Sequence, residues 1–222
     1  MTHRLLVFGD SWAYGSELAD DCREQQCFGG QLGKLLTVDS VHNCAETGSS
    51  ISHLHLQFQN ALTRMNYDPA DQYTAVFFLT GQQRFLAFDP NNEFYNLIPA
   101  GASIRPVQHQ HRMLIETVND FYYKNIQSDQ ADVIALNANL LALQAICRYH
   151  NIQDYYISGW QDLHVWPEVD QTRIYPYHCQ ALLDSDVKYF EPNVSHPNAL
   201  GHKLIADRLF DFMKLKQLDN TI

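Results

Sequence analysis

Runs of consecutive apolar residues alternate along the chain with stretches in which apolar residues recur every three or four positions. Arg4 to Asp10 holds the first run, Leu5-Leu6-Val7-Phe8, broken by Gly9-Asp10-Ser11. Tyr73 to Leu79 holds the strongest, Ala75-Val76-Phe77-Phe78-Leu79, stopped by Thr80-Gly81. A run that is apolar on both faces fits a central parallel strand covered by helices on either side. Val38 to Cys44 and Tyr155-Tyr156-Ile157 are shorter strand candidates, the latter ending at Ser158-Gly159.

The helical periodicity falls between these runs. Phe28 to Leu36 places Phe28, Leu32, Leu35 and Leu36 on one side. Ser50 to Met65 carries Ile51, Leu54, Phe58, Leu62 and Met65 at helical spacing, with Ser49 or Ser50 as the expected cap. Val107 to Ile126, Asp132 to His150 and Asn198 to Lys216 are further helices. Phe85 to Pro106 reads as a long loop or flap, and Gln161 to Pro192 as irregular. Strands alternating with helices predict a parallel sheet with helices on both faces, and a site at the carboxyl ends of the strands. The residues to inspect are therefore Gly9-Asp10-Ser11, Asn43 to Gly48, Thr80 to Arg84, and Gly159-Trp160.

The 222 residues are read as one domain, with the flap and a helical segment around residues 85–130. The formal net charge is −10 and there is no basic run, which argues against nucleic acid and anionic membrane as partners. Cys22, Cys27, Cys44, Cys147 and Cys179 lack zinc-finger or redox spacing and are read as reduced thiols. The apolar run near Met1 is too short for a signal-peptide core, and no stretch approaches the ~20 apolar residues of a membrane span. A cytoplasmic setting is expected. His53 and His55, like His109 and His111, are two apart in helices and face different ways, so no metal site is expected. No glycine-rich dinucleotide or phosphate loop follows the first strand, and no cofactor is expected.

Ser11 directly follows the first strand, at the mouth of the sheet. It either caps a turn or, given a base, acts as a nucleophile. His196 lies in Asn193-Val194-Ser195-His196-Pro197-Asn198-Ala199-Leu200-Gly201-His202, before the last helix. Its backbone is extended because proline follows. It is either an ordinary loop histidine or the base for Ser11. Trp12, Tyr14, Phe85, Phe88, Phe94, Tyr95 and Trp160 belong either to the core or to an acyl- or sugar-binding wall.

Together the two end segments resemble the SGNH (GDSL-type) hydrolase family. Gly9-Asp10-Ser11 is similar to its nucleophile block, and the segment ending His196-Pro197-Asn198-x-x-Gly201-His202 to its terminal block. Asn43 to Ser50 resembles the second block, with Gly48 as its glycine. Gly81-Gln82-Gln83-Arg84 stands where the family has Gly-x-Asn-Asp. The resemblance implies a flavodoxin-like three-layer α/β/α sandwich and ester hydrolysis through an acyl-enzyme. It implies Ser11 as nucleophile, His196 as base, and the Ser11 and Gly48 N–H groups with Gln83 as oxyanion donors. Asp10, Trp12, Arg84 and Trp160 are candidates to contact substrate, a small-molecule or carbohydrate ester.

The chain departs from the pattern twice. Gln83 is one methylene longer than asparagine, and Arg84 replaces aspartate. Arg84 donates to the oxyanion, binds a substrate carboxylate, or pairs with Glu46 or Asp10. Asn193 stands where the family has its acid; it can orient imidazole but not stabilise imidazolium by charge. Glu191, Asp184 and Asp186 are substitute carboxylates. The alternative to an esterase is a weak or inactive module of the same fold used for binding or assembly, a virion component being one setting.

Overall fold

The computed structural model describes residues 1–88, 94–97, 109–183, 187–191 and 196–219. In chain order the strands are β1 (His3–Phe8), β2 (Ser40–Asn43), β3 (Gln72–Leu79), β4 (Phe85–Phe88), β5 (Phe94–Leu97) and β6 (Gln153–Ser158). The helices are α1 (Ser11–Tyr14), α2 (Arg23–Gln26), α3 (Phe28–Leu36), α4 (His53–Arg64), α5 (His109–Asn125), α6 (Asp129–Tyr149), α7 (Cys179–Leu183) and α8 (Ala199–Asp219). Four strands form a parallel sheet in the order β2-β1-β3-β6.

Successive strand residues point to opposite faces, so each apolar run feeds two cores. Leu5, Val7, Val76, Phe78, Tyr155 and Ile157 pack with α3, α7 and α8 through Phe28, Leu32, Cys179, Leu183, Ile205 and Leu209. Leu6, Phe8, Ala75, Phe77, Leu79 and Tyr156 pack with α4 and α6 through Leu54, Phe58, Leu136, Leu140 and Leu143. On that second face the register Phe8↔Phe77↔Tyr156 stacks three rings, at 5.0 and 5.2 Å between centroids. This is the three-layer α/β/α sandwich.

Three expectations change. The segment read as a flap contains an antiparallel hairpin, β4 against β5, with Phe85 opposite Leu97. Two four-residue strands are too short to give the long apolar run of a core strand, which is why the hairpin escaped the pattern. The rest of the flap, residues 89–93 and 98–106, lies outside the described residues. Helix α4 begins at His53, with the Ser50 hydroxyl accepting the His53 N–H at 3.3 Å, while Ser49 is used elsewhere. Helix α6 begins three residues early, because the Ser128 hydroxyl caps it through the Ala131 N–H.

By length and composition α6 is also apolar enough to cross a membrane. Here its Leu136, Leu140, Leu143 and Cys147 are buried in the second core. The irregular stretch after β6 shields the outer edge of the sheet. Ile174 forms an isolated parallel bridge to Tyr156, and the Tyr175 N–H donates to the Tyr156 carbonyl at 2.8 Å.

Candidate active site

The end of β1 is built to hold a polar side chain at the mouth of the sheet. A Cβ on Gly9 would lie 2.7 Å from both the Ala13 and Phe78 Cβ atoms, so only glycine lets the chain turn here. Asp10 caps α1, its Oδ1 accepting the Trp12 N–H at 3.0 Å. Ser11 is therefore the first residue of α1 and not its cap.

Each recognisable residue of the last motif has a physical task. Asn198 caps α8, its Oδ1 accepting the Leu200 and Gly201 N–H groups at 3.0 and 3.1 Å. Its amide donates to the Lys188 and Phe190 carbonyls, pinning the preceding segment. A Cβ on Gly201 would lie 2.4 Å from the Tyr189 carbonyl oxygen, so glycine permits that approach. His202 Nδ1 accepts the Phe28 N–H at the start of α3, at 3.2 Å. Burial lowers this imidazole to about 4, so it is a neutral structural acceptor.

This framework brings together Ser11 and His196, 185 positions apart, with Ser11 Oγ 2.9 Å from His196 Nε2. His196 Nδ1 faces Glu17 Oε1 at 3.4 Å, from the turn after α1. Glu191, one of the substitute carboxylates, meets His196 only through its backbone, its N–H donating to the His196 carbonyl. Asn193, Asp184 and Asp186 lie outside the described residues.

Asp10 and Trp12 are buried, at 0% and 1% exposure, so their tasks are internal and substrate does not reach them in this structure. Asp10 Oδ2 accepts from Thr80 Oγ1 at 2.8 Å and from Arg84 Nη1 at 2.9 Å. Arg84 Nη1 also donates to the Ser49 carbonyl at 3.1 Å. Of the alternatives for Arg84, the observed pair is with Asp10. Three strand-end loops are thereby tied at one point: Asp10 after β1, Ser49 after β2 and Arg84 after β3. Gly48, with φ of 77°, immediately precedes Ser49 in the second loop.

Gln57 on α4 adds a second tie. Its amide pairs with both backbone groups of Gly9, at 3.0 and 2.9 Å, and donates to Ser49 Oγ at 2.8 Å. Sequence reasoning missed Gln57, although a signal existed. It lies among Leu54, Phe58 and Ala61 on the buried face of α4, where a polar residue implies a buried partner. Glu17 carries no comparable sequence signal. Only the fold brings its turn against the loop before α8.

Gln83 is exposed, and its carbonyl accepts the Tyr123 hydroxyl of α5 at 2.7 Å. Trp160 is half-buried, its ring 4.4 Å from that of Trp12. Phe85 is exposed and stacks on Tyr122 at 4.9 Å. No rival thiol nucleophile is prepared at Cys27, Cys44, Cys147 or Cys179. Burial raises all four, Cys44 to about 11. Among the described residues no three His, Cys, Asp or Glu side chains converge as metal ligands.

No family model and no curated protein matches this sequence. Solved structures do match in fold. The psychrotrophic esterase EstA from Pseudoalteromonas sp., solved inhibited by monoethylphosphonate, is 12% identical over 97% of this chain and 98% of its own, with a TM-score of 0.54. TesA is 13% identical over 95% of this chain and 98% of its own, with a TM-score of 0.55. The likeness is one of fold, spanning nearly the whole of each chain.

Proposed function

We propose, from the premise that this chain is a divergent protein with the SGNH-hydrolase fold, that it is a serine carboxyl-ester hydrolase. The observation that carries the reading is the 2.9 Å contact between Ser11 Oγ and His196 Nε2. A serine hydroxyl becomes a nucleophile when a base within hydrogen-bond reach takes its proton. Ser11 Oγ attacks the ester carbonyl while His196 Nε2 receives the hydroxyl proton. The resulting oxyanion is met by the N–H groups of Ser11 and Gly48 and by the Gln83 amide. The C–O bond to the alcohol then breaks, and His196 returns the proton to the leaving oxygen. Water, deprotonated by His196, cleaves the acyl-enzyme and frees Ser11. The substrate class is a small ester, with an acetyl group on a carbohydrate as the preferred member and half-buried Trp160 as its stacking surface.

The test is hydrolysis of p-nitrophenyl acetate by the wild type beside Ser11→Ala and His196→Ala. Activity that disappears in both variants supports the reading. Equal rates in all three proteins would overturn it. A binding or assembly module on the same fold is the second reading, favoured by the exposure of Gln83.

A further inference from the structure

We infer that Glu17, six positions beyond Ser11 in sequence, is the carboxylate that orients His196, so that the acid of the site comes from the nucleophile's own turn. The inference rests on the serine-hydrolase reading and adds a positioning residue to it.

To take the Ser11 proton, Nε2 must be the unprotonated nitrogen, and the ring's hydrogen then resides on Nδ1. That nitrogen is buried, and among the described residues no hydrogen bond satisfies it. Glu17 Oε1 stands 3.4 Å from it. The gap exceeds a hydrogen bond by a few tenths of an ångström, a looseness common in free enzymes that tightens when substrate binds. The Glu17 and His196 side chains are 33% and 28% exposed, which leaves Glu17 room for that adjustment.

The turn carrying Glu17 is also fixed on both sides. Gly15 closes α1 in the left-handed conformation, and the Gly15 and Ser16 N–H groups both donate to the Ser11 carbonyl, at 3.0 and 3.1 Å. Arg23 then grips the turn: Nε donates to the Gly15 carbonyl and Nη2 to the Leu18 carbonyl, each at 3.1 Å. Its Nη1 reaches the Tyr14 hydroxyl at 3.2 Å, and its charge is met by Asp20. Glu17 lies between the two gripped carbonyls. The turn that hydrogen-bonds to the Ser11 backbone therefore also sets the carboxylate opposite the Ser11 base.

Among the described residues, the titratable groups around His196 are Glu17 from this turn, neutral His202 from α8, and Glu191, which touches it through the backbone. Of these, Glu17 is the one whose carboxylate faces Nδ1. It keeps the productive tautomer and stabilises the imidazolium formed as Ser11 attacks.

The experiment compares the wild type, Ser11→Ala, Glu17→Gln, Glu17→Ala, Glu17→Asp and Asn193→Ala. Ester hydrolysis and the His196 Nδ1–H signal by NMR are followed in parallel. Glu17→Gln and Glu17→Ala are expected to lower kcat by at least ~10-fold, by analogy with acid removal in serine proteases, with KM little changed. Glu17→Asp restores part of the loss. The His196 Nδ1–H signal moves in Glu17→Gln and Glu17→Ala. A wild type no faster than Ser11→Ala would defeat the hydrolase reading, and the Nδ1–H signal would still decide whether Glu17 faces the ring. An active wild type with unchanged kcat and Nδ1–H signal in both Glu17→Gln and Glu17→Ala overturns the inference. Loss of activity in Asn193→Ala with those two Glu17 variants intact would move the role to Asn193.

Discussion

Arg84 Nη1 sits 2.9 Å from Asp10 Oδ2 and 3.1 Å from the Ser49 carbonyl oxygen, so one guanidinium nitrogen joins the residue before Ser11 to the residue after Gly48. The Asp10 side chain is wholly buried and that of Arg84 is 16% exposed. Removing one member of such a pair strands a charge without solvent. Arg84→Met is expected to cost about 3–5 kcal/mol of stability, read from urea unfolding. Asp10→Asn on the same background keeps the cap of α1 and removes the stranded charge, so the double variant should regain part of the loss. Failure of the second change to restore stability would show that Arg84 acts by packing.

Gln57 makes three hydrogen bonds within the buried loop cluster. Gln57→Leu keeps the approximate volume and leaves the Gly9 N–H unpaired, while the Gly9 carbonyl keeps the Glu46 N–H at 3.0 Å. A loss of about 1–3 kcal/mol follows. If the Gly9 turn also sets the position of Ser11, kcat falls while KM changes little. A variant as stable as the wild type would contradict the clamp.

His202 carries a pH prediction. Its imidazole is lowered from 6.5 to about 4 by burial. Below about pH 6.5 the unfolded chain binds a proton that the folded chain refuses until about pH 4. The stabilising contribution of His202 is therefore complete above pH 6.5 and is lost as the pH falls toward 4. The loss is at most about 3 kcal/mol, from the shift between those two values. Urea unfolding at pH 7 and pH 5 should show a smaller acid loss in His202→Gln than in the wild type. Other shifted groups, such as Asp132 and Asp154 with raised carboxyls, are common to both proteins and cancel.

The two departures from the family pattern are tested together. Gln83→Ala lowers kcat more than it raises KM if its amide meets the oxyanion, because that bond forms chiefly in the transition state. An unchanged kcat would leave the oxyanion to backbone donors. Asn193→Asp should leave activity nearly flat, since Glu17 already supplies a carboxylate to Nδ1. A rise of ~10-fold or more would instead show that the family's acid position was empty of any substitute.

Legibility followed the range of the interaction. The runs at Leu5 to Phe8 and Ala75 to Leu79 announced buried parallel strands, because both of their faces must be apolar. The His196-Pro197-Asn198-x-x-Gly201-His202 spacing was readable because its Asn198 cap, Gly201 approach and following helix are local. Position alone left His196 as either a loop histidine or the base for Ser11, and the family resemblance favoured the pair, since nothing local joins residues 185 apart. Glu17 and Gln57 were not read. Their partners lie on other elements: Glu17 stands in a turn that states no direction, and the apolar face of α4 implied a buried partner for Gln57 without naming it. The β4–β5 hairpin stayed hidden because four-residue strands lack a readable run.

On the proposed mechanism Ser11 is the nucleophile, activated by His196. EstA, which shares the fold, was solved inhibited by a phosphonate, and such a reagent reports nucleophile identity without a chosen natural substrate. The protein is incubated with an activated phosphonate monoester, digested, and its peptides analysed by mass spectrometry. One stoichiometric adduct is expected on the peptide containing Ser11, absent in Ser11→Ala and much slower to form in His196→Ala. No adduct at Ser11, or equal labelling of Ser11 in the wild type and His196→Ala, would contradict it.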